Sequence, residues 1–200
     1  YISETQKVYF SQGALIHDGS TWSFTTNQYD RPTAEQGLFA WGTSGYGNPD
    51  TIPAGRGLYK NSLWDYSNFD WGVYNPISNG GNTAGQWRTL KGEEWRYLYE
   101  HYDAERVTIE GVTGYKLLAN DGEHYLFLPD GDYWASTSSS DQGSGQETAE
   151  ACQVQEVGGL SLLGNASRTE KKMVRLVYET NDPGCLVVSD QRNNSPILAK

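Results

Sequence analysis

Tyr133-Trp134-Ala135-Ser136-Thr137, and much later Val174-Arg175-Leu176-Val177-Tyr178, are the stretches whose reading decides the fold. Both read as strands. The first is built on two large aromatics, the second on β-branched and long apolar residues around one arginine. Between them runs polar, glycine-rich chain with little helical period. That layout describes a rigid framework presenting an irregular surface, and such surfaces bind more often than they catalyse.

Upstream, Lys7-Val8-Tyr9-Phe10 and Trp22-Ser23-Phe24 read as an opening antiparallel pair, with Ala14-Leu15-Ile16 as the return strand and Asp18-Gly19 as a turn. From Asp30 to Gly85 no element of convincing length is expected. That long segment carries Phe39, Trp41, Tyr46, Tyr59, Trp64, Tyr66, Phe69, Trp71 and Tyr74, so it is expected to pack onto the body. A helix is predicted from Leu90 to Tyr102, because Trp95, Leu98, Tyr99 and Tyr102 recur at i, i+3, i+4 and i+7. Glu93 and Glu94 in its first turn and His101 in its last complement the helix dipole. Val107-Thr108-Ile109, Gly114–Leu118 and Tyr125–Leu128 read as three strands, with turns at Asn120-Asp121-Gly122 and Pro129-Asp130-Gly131-Asp132.

The composition narrows the function classes. Two hundred residues can bury a sizeable core in one domain, with or without an insertion. Seven Trp and 14 Tyr against one Met, with 23 Gly, describe a turn-rich β-type chain. A net charge of −10 repels a phosphate backbone, which argues against nucleic acid as a partner. No apolar run approaches the roughly 18 residues that a transmembrane helix needs. Cys152 and Cys185 are the only cysteines. Their even number in an acidic, aromatic chain suits a disulfide in an oxidising compartment; two separate buried thiols are the alternative. Neither sits in a CxxC, which leaves zinc binding and thiol redox chemistry without support.

Phe39-Ala40-Trp41-Gly42-Thr43-Ser44-Gly45-Tyr46, Asp70-Trp71-Gly72-Val73-Tyr74-Asn75, Gln86-Trp87-Arg88-Thr89-Leu90 leading into Glu94-Trp95, Leu128-Pro129-Asp130, Tyr133–Thr137 and Val174–Val177 follow one another in an order that resembles a large group of bacterial surface proteins. Those proteins carry a C-type-lectin-like domain related to the formylglycine-generating-enzyme fold. The resemblance implies an α+β, C-type-lectin-like fold with short twisted antiparallel sheets, one or two helices and extensive irregular loops. It implies a single domain over 1–178 with a long aromatic, glycine-rich insertion at about 30–85, followed by a C-terminal extension, 179–200. Many relatives are secreted or lipid-anchored proteins of Gram-negative bacteria, and some are adhesins, pilus tips or diversified ligand-binding proteins. Two departures stand out. Lys91 occupies the position where relatives place a capping Ser or Thr. The tyrosine-rich strands that relatives carry before the Arg-Leu-Val motif are replaced by Gly158–Leu163 and the basic run Arg168-Thr169-Glu170-Lys171-Lys172.

The enzymatic branch of that fold uses closely spaced cysteines or iron-binding histidines. Cys152 and Cys185 are far apart, and His17, His101 and His124 form no HxxxH-like pattern. These histidines read instead as a surface strand residue, a helix-end cation and a hairpin residue. No serine nucleophile elbow is present. Asp130, Asp132 and Asp141 bracket the Tyr-Trp strand and could offer oxygen ligands to calcium, although Pro129–Asp132 is also ordinary turn chemistry. The sugar-binding tripeptides Glu-Pro-Asn and Gln-Pro-Asp of calcium-dependent lectins are absent. Among the aromatics, Tyr59, Trp64 and Tyr66 are the expected exposed platform for a sugar ring. The segment from Ser138 to Lys172 is the second candidate surface, with Gln142, Gln146 and Arg168 as contacts. The expected role is therefore non-enzymatic recognition or adhesion toward a glycan or protein ligand, by a secreted or outer-membrane-anchored protein of a Gram-negative bacterium, with no cofactor other than calcium. The alternatives are a structural or tip subunit of a surface assembly and a degenerate enzyme.

Overall fold

The computed structural model describes residues 1–42, 70–119, 121–141 and 146–179, with residues 140, 141, 146 and 147 described by backbone alone. In chain order the elements are β1 (Val8–Phe10), β2 (Leu15–His17), β3 (Trp22–Phe24), α1 (Ala34–Gly37), α2 (Trp71–Tyr74), β4 (Arg88–Thr89), α3 (Gly92–His101), β5 (Ala104–Ile109), β6 (Val112–Leu118), β7 (Tyr125–Pro129), β8 (Gly131–Asp141), β9 (Gln146–Gln155), β10 (Gly159–Ser167) and β11 (Leu176–Glu179). The strands form four small sheets, β1-β11-β4, β10-β9-β8, β2-β3 and β5-β6-β7. Every pairing between these strands is antiparallel. The protein is thus α+β, with small antiparallel sheets and few helices. Among the described residues no helix is long and apolar enough to cross a membrane.

The opening of the chain differs from expectation. β3 pairs with β2, and β1 pairs with the far end of the sequence, Val8 opposite Glu179 and Phe10 opposite Val177. The local hairpin wins because Asp18 closes its turn, its Oδ1 accepting the N–H groups of Ser20 and Thr21 at 2.8 Å each. β1 then docks on β11, and the pairing continues where Ser11 N–H donates to Leu176 O and Leu15 N–H to Val174 O.

Alternation along the strands feeds two hydrophobic clusters, and several strands form the wall between them. On β11, Leu176 enters a cluster with Trp22, Phe24, Phe39, Trp41 and Trp134, and Val177 enters another with Leu90, Trp95, Leu98, Leu128 and Tyr133. β8 sends Trp134 to the first and Tyr133 and Ala135 to the second; β9 sends Ala149 and Ala151 to the first, and Cys152 and Val154 to the second. Strands covered on both faces lose the apolar/polar alternation that marks a half-exposed strand. The inward residues of β9 are thus Ala149, Ala151, Cys152 and Val154, and the stretch read as irregular between Thr137 and Val174 is in fact a three-stranded meander. Two indoles lock it to the N-terminal half. Trp41 Nε1–H donates to Ala135 O at 2.8 Å, and Trp134 Nε1–H to Phe39 O at 2.7 Å.

Helix α3 starts without a capping side chain at Lys91. The Lys91 N–H is taken by Glu94 Oε2 at 2.7 Å, and the Gly92 N–H by Thr137 Oγ1 of β8 at 2.9 Å. Glu94 is buried and receives a two-pronged ion pair from Arg88 at 2.8 and 2.6 Å, so its task exceeds complementing the dipole. A side chain at Gly92 would run into the Glu150 carboxylate. Within 30–85, where no element was expected, the described parts hold two single-turn helices capped by Thr33 and Asp70. Trp71 and Gly72 lie in the core as expected, whereas Val73 and Tyr74 are exposed.

Two side-chain amides extend sheets at their edges. Asn79 accepts from Phe24 N–H at 2.7 Å and donates to Phe24 O at 2.9 Å along β3. Gln28 accepts from Phe127 N–H at 2.8 Å and donates to Tyr125 O at 3.3 Å along β7.

Candidate functional site

Gln28 also anchors the site. Its Oε1 is the one partner, at 3.3 Å, that the described residues offer the Arg175 guanidinium, which is 1% exposed and has an unpaired Nε. Burial pushes the Arg175 pKa down to about 10, with Tyr133 opposing. Next to Gln28 the chain turns. Asp30 Oδ2 accepts from Asn27 N–H at 2.7 Å, and Asp30 N–H donates to Asn27 O at 3.2 Å. The turn sets Tyr29, Asp30 and Arg31 along one wall.

The opposite wall is the β5–β6 hairpin. Ile109 pairs with Val112, so Glu110 and Gly111 form a two-residue loop, with φ of 50° and 79°. Positive φ at both positions defines a primed turn that favours Asn or Gly at the first position; Glu pays a backbone penalty there. The hairpin is braced from behind by a fork between Arg106 and Asp130 at 2.9 and 2.7 Å.

Tyr29, Asp30 and Arg31 face Glu110 and Val112 across an open cleft of about 580 Å³. The lining offers an aromatic ring, an aliphatic patch, a guanidinium donor and two carboxylate acceptors. Arg31 and Glu110 are exposed, and among the described residues neither makes a hydrogen bond or an ion pair. Such a surface can hold a polar ring by stacking and hydrogen bonds.

The residues expected from sequence are placed elsewhere. Tyr59, Trp64, Tyr66, Gln142 and Cys185 lie outside the described residues. Gln146 and Asp141, described by backbone alone, pair at the end of β8 and β9. Arg168 is 3% exposed; its Nε donates to Thr148 O at 2.9 Å and its guanidinium lies 4.5 Å from the Trp41 ring centroid, which points it into the fold. Asp130 is held by Arg106, and Asp132 by the buried Lys172 at 2.9 Å, so each carboxylate is already matched by a cation. Among the described residues no group of three His, Cys, Asp or Glu could hold a metal ion. Cys152 is a buried thiol opposite Tyr133, its pKa raised by burial.

The three histidines sit apart. His17, expected at the surface, is buried edge-on against Trp22, because the β2–β3 hairpin turns it into the core; its Nδ1 accepts from Gly19 N–H at 3.0 Å. Burial lowers its pKa, with Asp18 opposing. His101 stacks on Tyr97 in the last turn of α3. His124 lies 2.6 Å from Asp121, whose carboxyl is held down to about 2, chiefly by the His124 N–H.

The cleft residues carried only faint sequence signals. Asn27 and Asp30 frame a turn, and Glu110-Gly111 between two β-branched runs marks a hairpin. That these two turns face each other is a tertiary fact. No family model, no curated protein and no solved structure matches this chain.

Proposed function

We propose that this chain is a C-type-lectin-like, non-enzymatic recognition domain, secreted or anchored at the outer surface of a Gram-negative bacterium, which binds a glycan in the cleft between residues 29–31 and the β5–β6 tip. The observation that carries this reading is the cleft itself, where an aromatic ring is set beside an arginine and a glutamate that have no hydrogen-bond or ion-pair partner among the described residues. Sugars have apolar C–H faces and hydroxyl edges, and this lining complements both. The family assignment draws on the motif order and on the α+β arrangement, in which Tyr133-Trp134-Ala135 and Leu176-Val177 serve both hydrophobic clusters.

A second reading, a subunit of a surface assembly, is favoured by one observation. β5 pairs only with β6, and among the described residues its outer edge has no partner, the setting that strand addition from a neighbour requires. An array of glycans and matrix proteins, probed with the purified chain with and without calcium, separates the two. Selective glycan binding that Tyr29→Ala weakens at least about tenfold, with circular dichroism unchanged, is the expected result. Undiminished binding by that variant would remove the cleft from the argument. No binding to any glycan would leave the assembly reading in possession.

A further inference from the structure

We infer that the cleft selects a sugar bearing both an ammonium and a carboxylate group, an inference that rests on the glycan reading of the same site. Three cations of this protein are neutralised by carboxylates within hydrogen-bond distance. Arg88 pairs with Glu94, Arg106 with Asp130, and Lys172 with Asp132 and Glu170. In the cleft, Arg31 on one wall and Glu110 on the other have no hydrogen-bond or ion-pair partner among the described residues, although they line the same space. Asp30 contributes less, because its Oδ2 is already taken by the N–H and the side-chain amide of Asn27.

The backbone adds a second, independent observation. Glu110 sits at φ 50°, where Asn or Gly would be relaxed, and no hydrogen bond within the described residues rewards its side chain. A strained residue without internal compensation points to a role for what it presents. Here it presents a carboxylate to a cleft whose other wall presents a guanidinium. The ligand complementary to such a dipolar cleft is dipolar in the opposite sense. Its carboxylate takes the planar fork of Arg31, its ammonium takes Glu110, and its ring lies against Tyr29. Charge-assisted contacts are roughly twice as strong as neutral ones, which gives discrimination over a plain sugar of about tenfold or more when both are made.

The test is a titration of the full chain, at low ionic strength, with four pyranoses: glucose, glucosamine, glucuronic acid and muramic acid, which carry neither charge, the ammonium, the carboxylate, and both. Muramic acid is expected to bind at least about tenfold more tightly than glucose. Arg31→Gln should weaken muramic and glucuronic acid and spare glucosamine; Glu110→Gln should weaken muramic acid and glucosamine and spare glucuronic acid. If the four sugars bind alike, or one singly charged sugar equals muramic acid, the inference is overturned while the glycan reading stands. If none of the four binds, the inference is also overturned, and the fate of the glycan reading is decided separately by the array.

Discussion

At Asp70, a side chain 2% exposed, two backbone donors hold a carboxylate inside the protein: Thr89 N–H at 2.7 Å and Gly72 N–H at 3.2 Å. They do not fully offset desolvation, which lifts its pKa from 3.8 to about 6. Because the folded state binds this proton more tightly than the unfolded chain, the contribution to stability is complete below pH 3.8 and is lost as pH rises through about 6. Urea unfolding of the wild type and Asp70→Asn at pH 4 and pH 7.5 should therefore give a wild-type advantage that is larger at pH 4, by up to about 3 kcal/mol. A difference independent of pH would show that the carboxyl does not titrate in this window. Single residues were unequally legible in the sequence. Arg175 stood out as a lone cation in an apolar strand, but its partner Gln28 lies 147 residues away and nothing local points to it.

At the scale of elements, helix α3 was the most legible, because a 3.6-residue aromatic period needs no tertiary information. Its start was not. The sequence offers a poor cap at Lys91, and the structure supplies the missing acceptor from another strand, through Thr137, and a buried pair, through Glu94 and Arg88. Thr137→Val should cost about 1–2 kcal/mol by leaving the Gly92 N–H unpaired, and Glu94→Gln about 1–3 kcal/mol by removing the charge from the fork with Arg88, whose Nε keeps its pair with Glu179. Denaturation midpoints measure both, and hydrogen exchange at Gly92–Trp95 should accelerate before the rest of the protein. Values within about 0.5 kcal/mol of wild type would mean that water caps the helix instead. β9 and β10 were illegible for the opposite reason. On β9, Ala149 and Ala151 face one cluster and Cys152 and Val154 the other, and on β10 Leu163 and Ala166 face one and Leu160 and Leu162 the other, which leaves no period-2 contrast to read.

The molecule as a whole is organised by strands that belong to two hydrophobic clusters at once. Neither cluster can melt without disturbing β8, β9 and β11, so unfolding should be one cooperative transition. Leu176→Ala and Val177→Ala, adjacent residues serving opposite clusters, should each lower stability by roughly 2–4 kcal/mol and shift tryptophan fluorescence and far-UV dichroism to the same midpoint. Two separated transitions would show that the clusters are independent units. The architecture was legible in class, as small sheets with few helices, but not in pairing. β1 joins β11 across almost the whole described chain, and the cleft joins the turn that follows β3 to the tip of the β5–β6 hairpin.

The side-chain amides of Gln28 and Asn79 carry a consequence for the nascent chain. Each closes a strand edge by reaching a distant part of the sequence, 99 residues away for Gln28 at Phe127 and 55 for Asn79 at Phe24. Until those segments dock, β7 and β3 expose unpaired backbone that a neighbouring molecule can use as a template. Solubility during folding is thus set by how quickly two glutamine-class side chains arrive, and substitutions at either position would favour self-association before they affected the native surface.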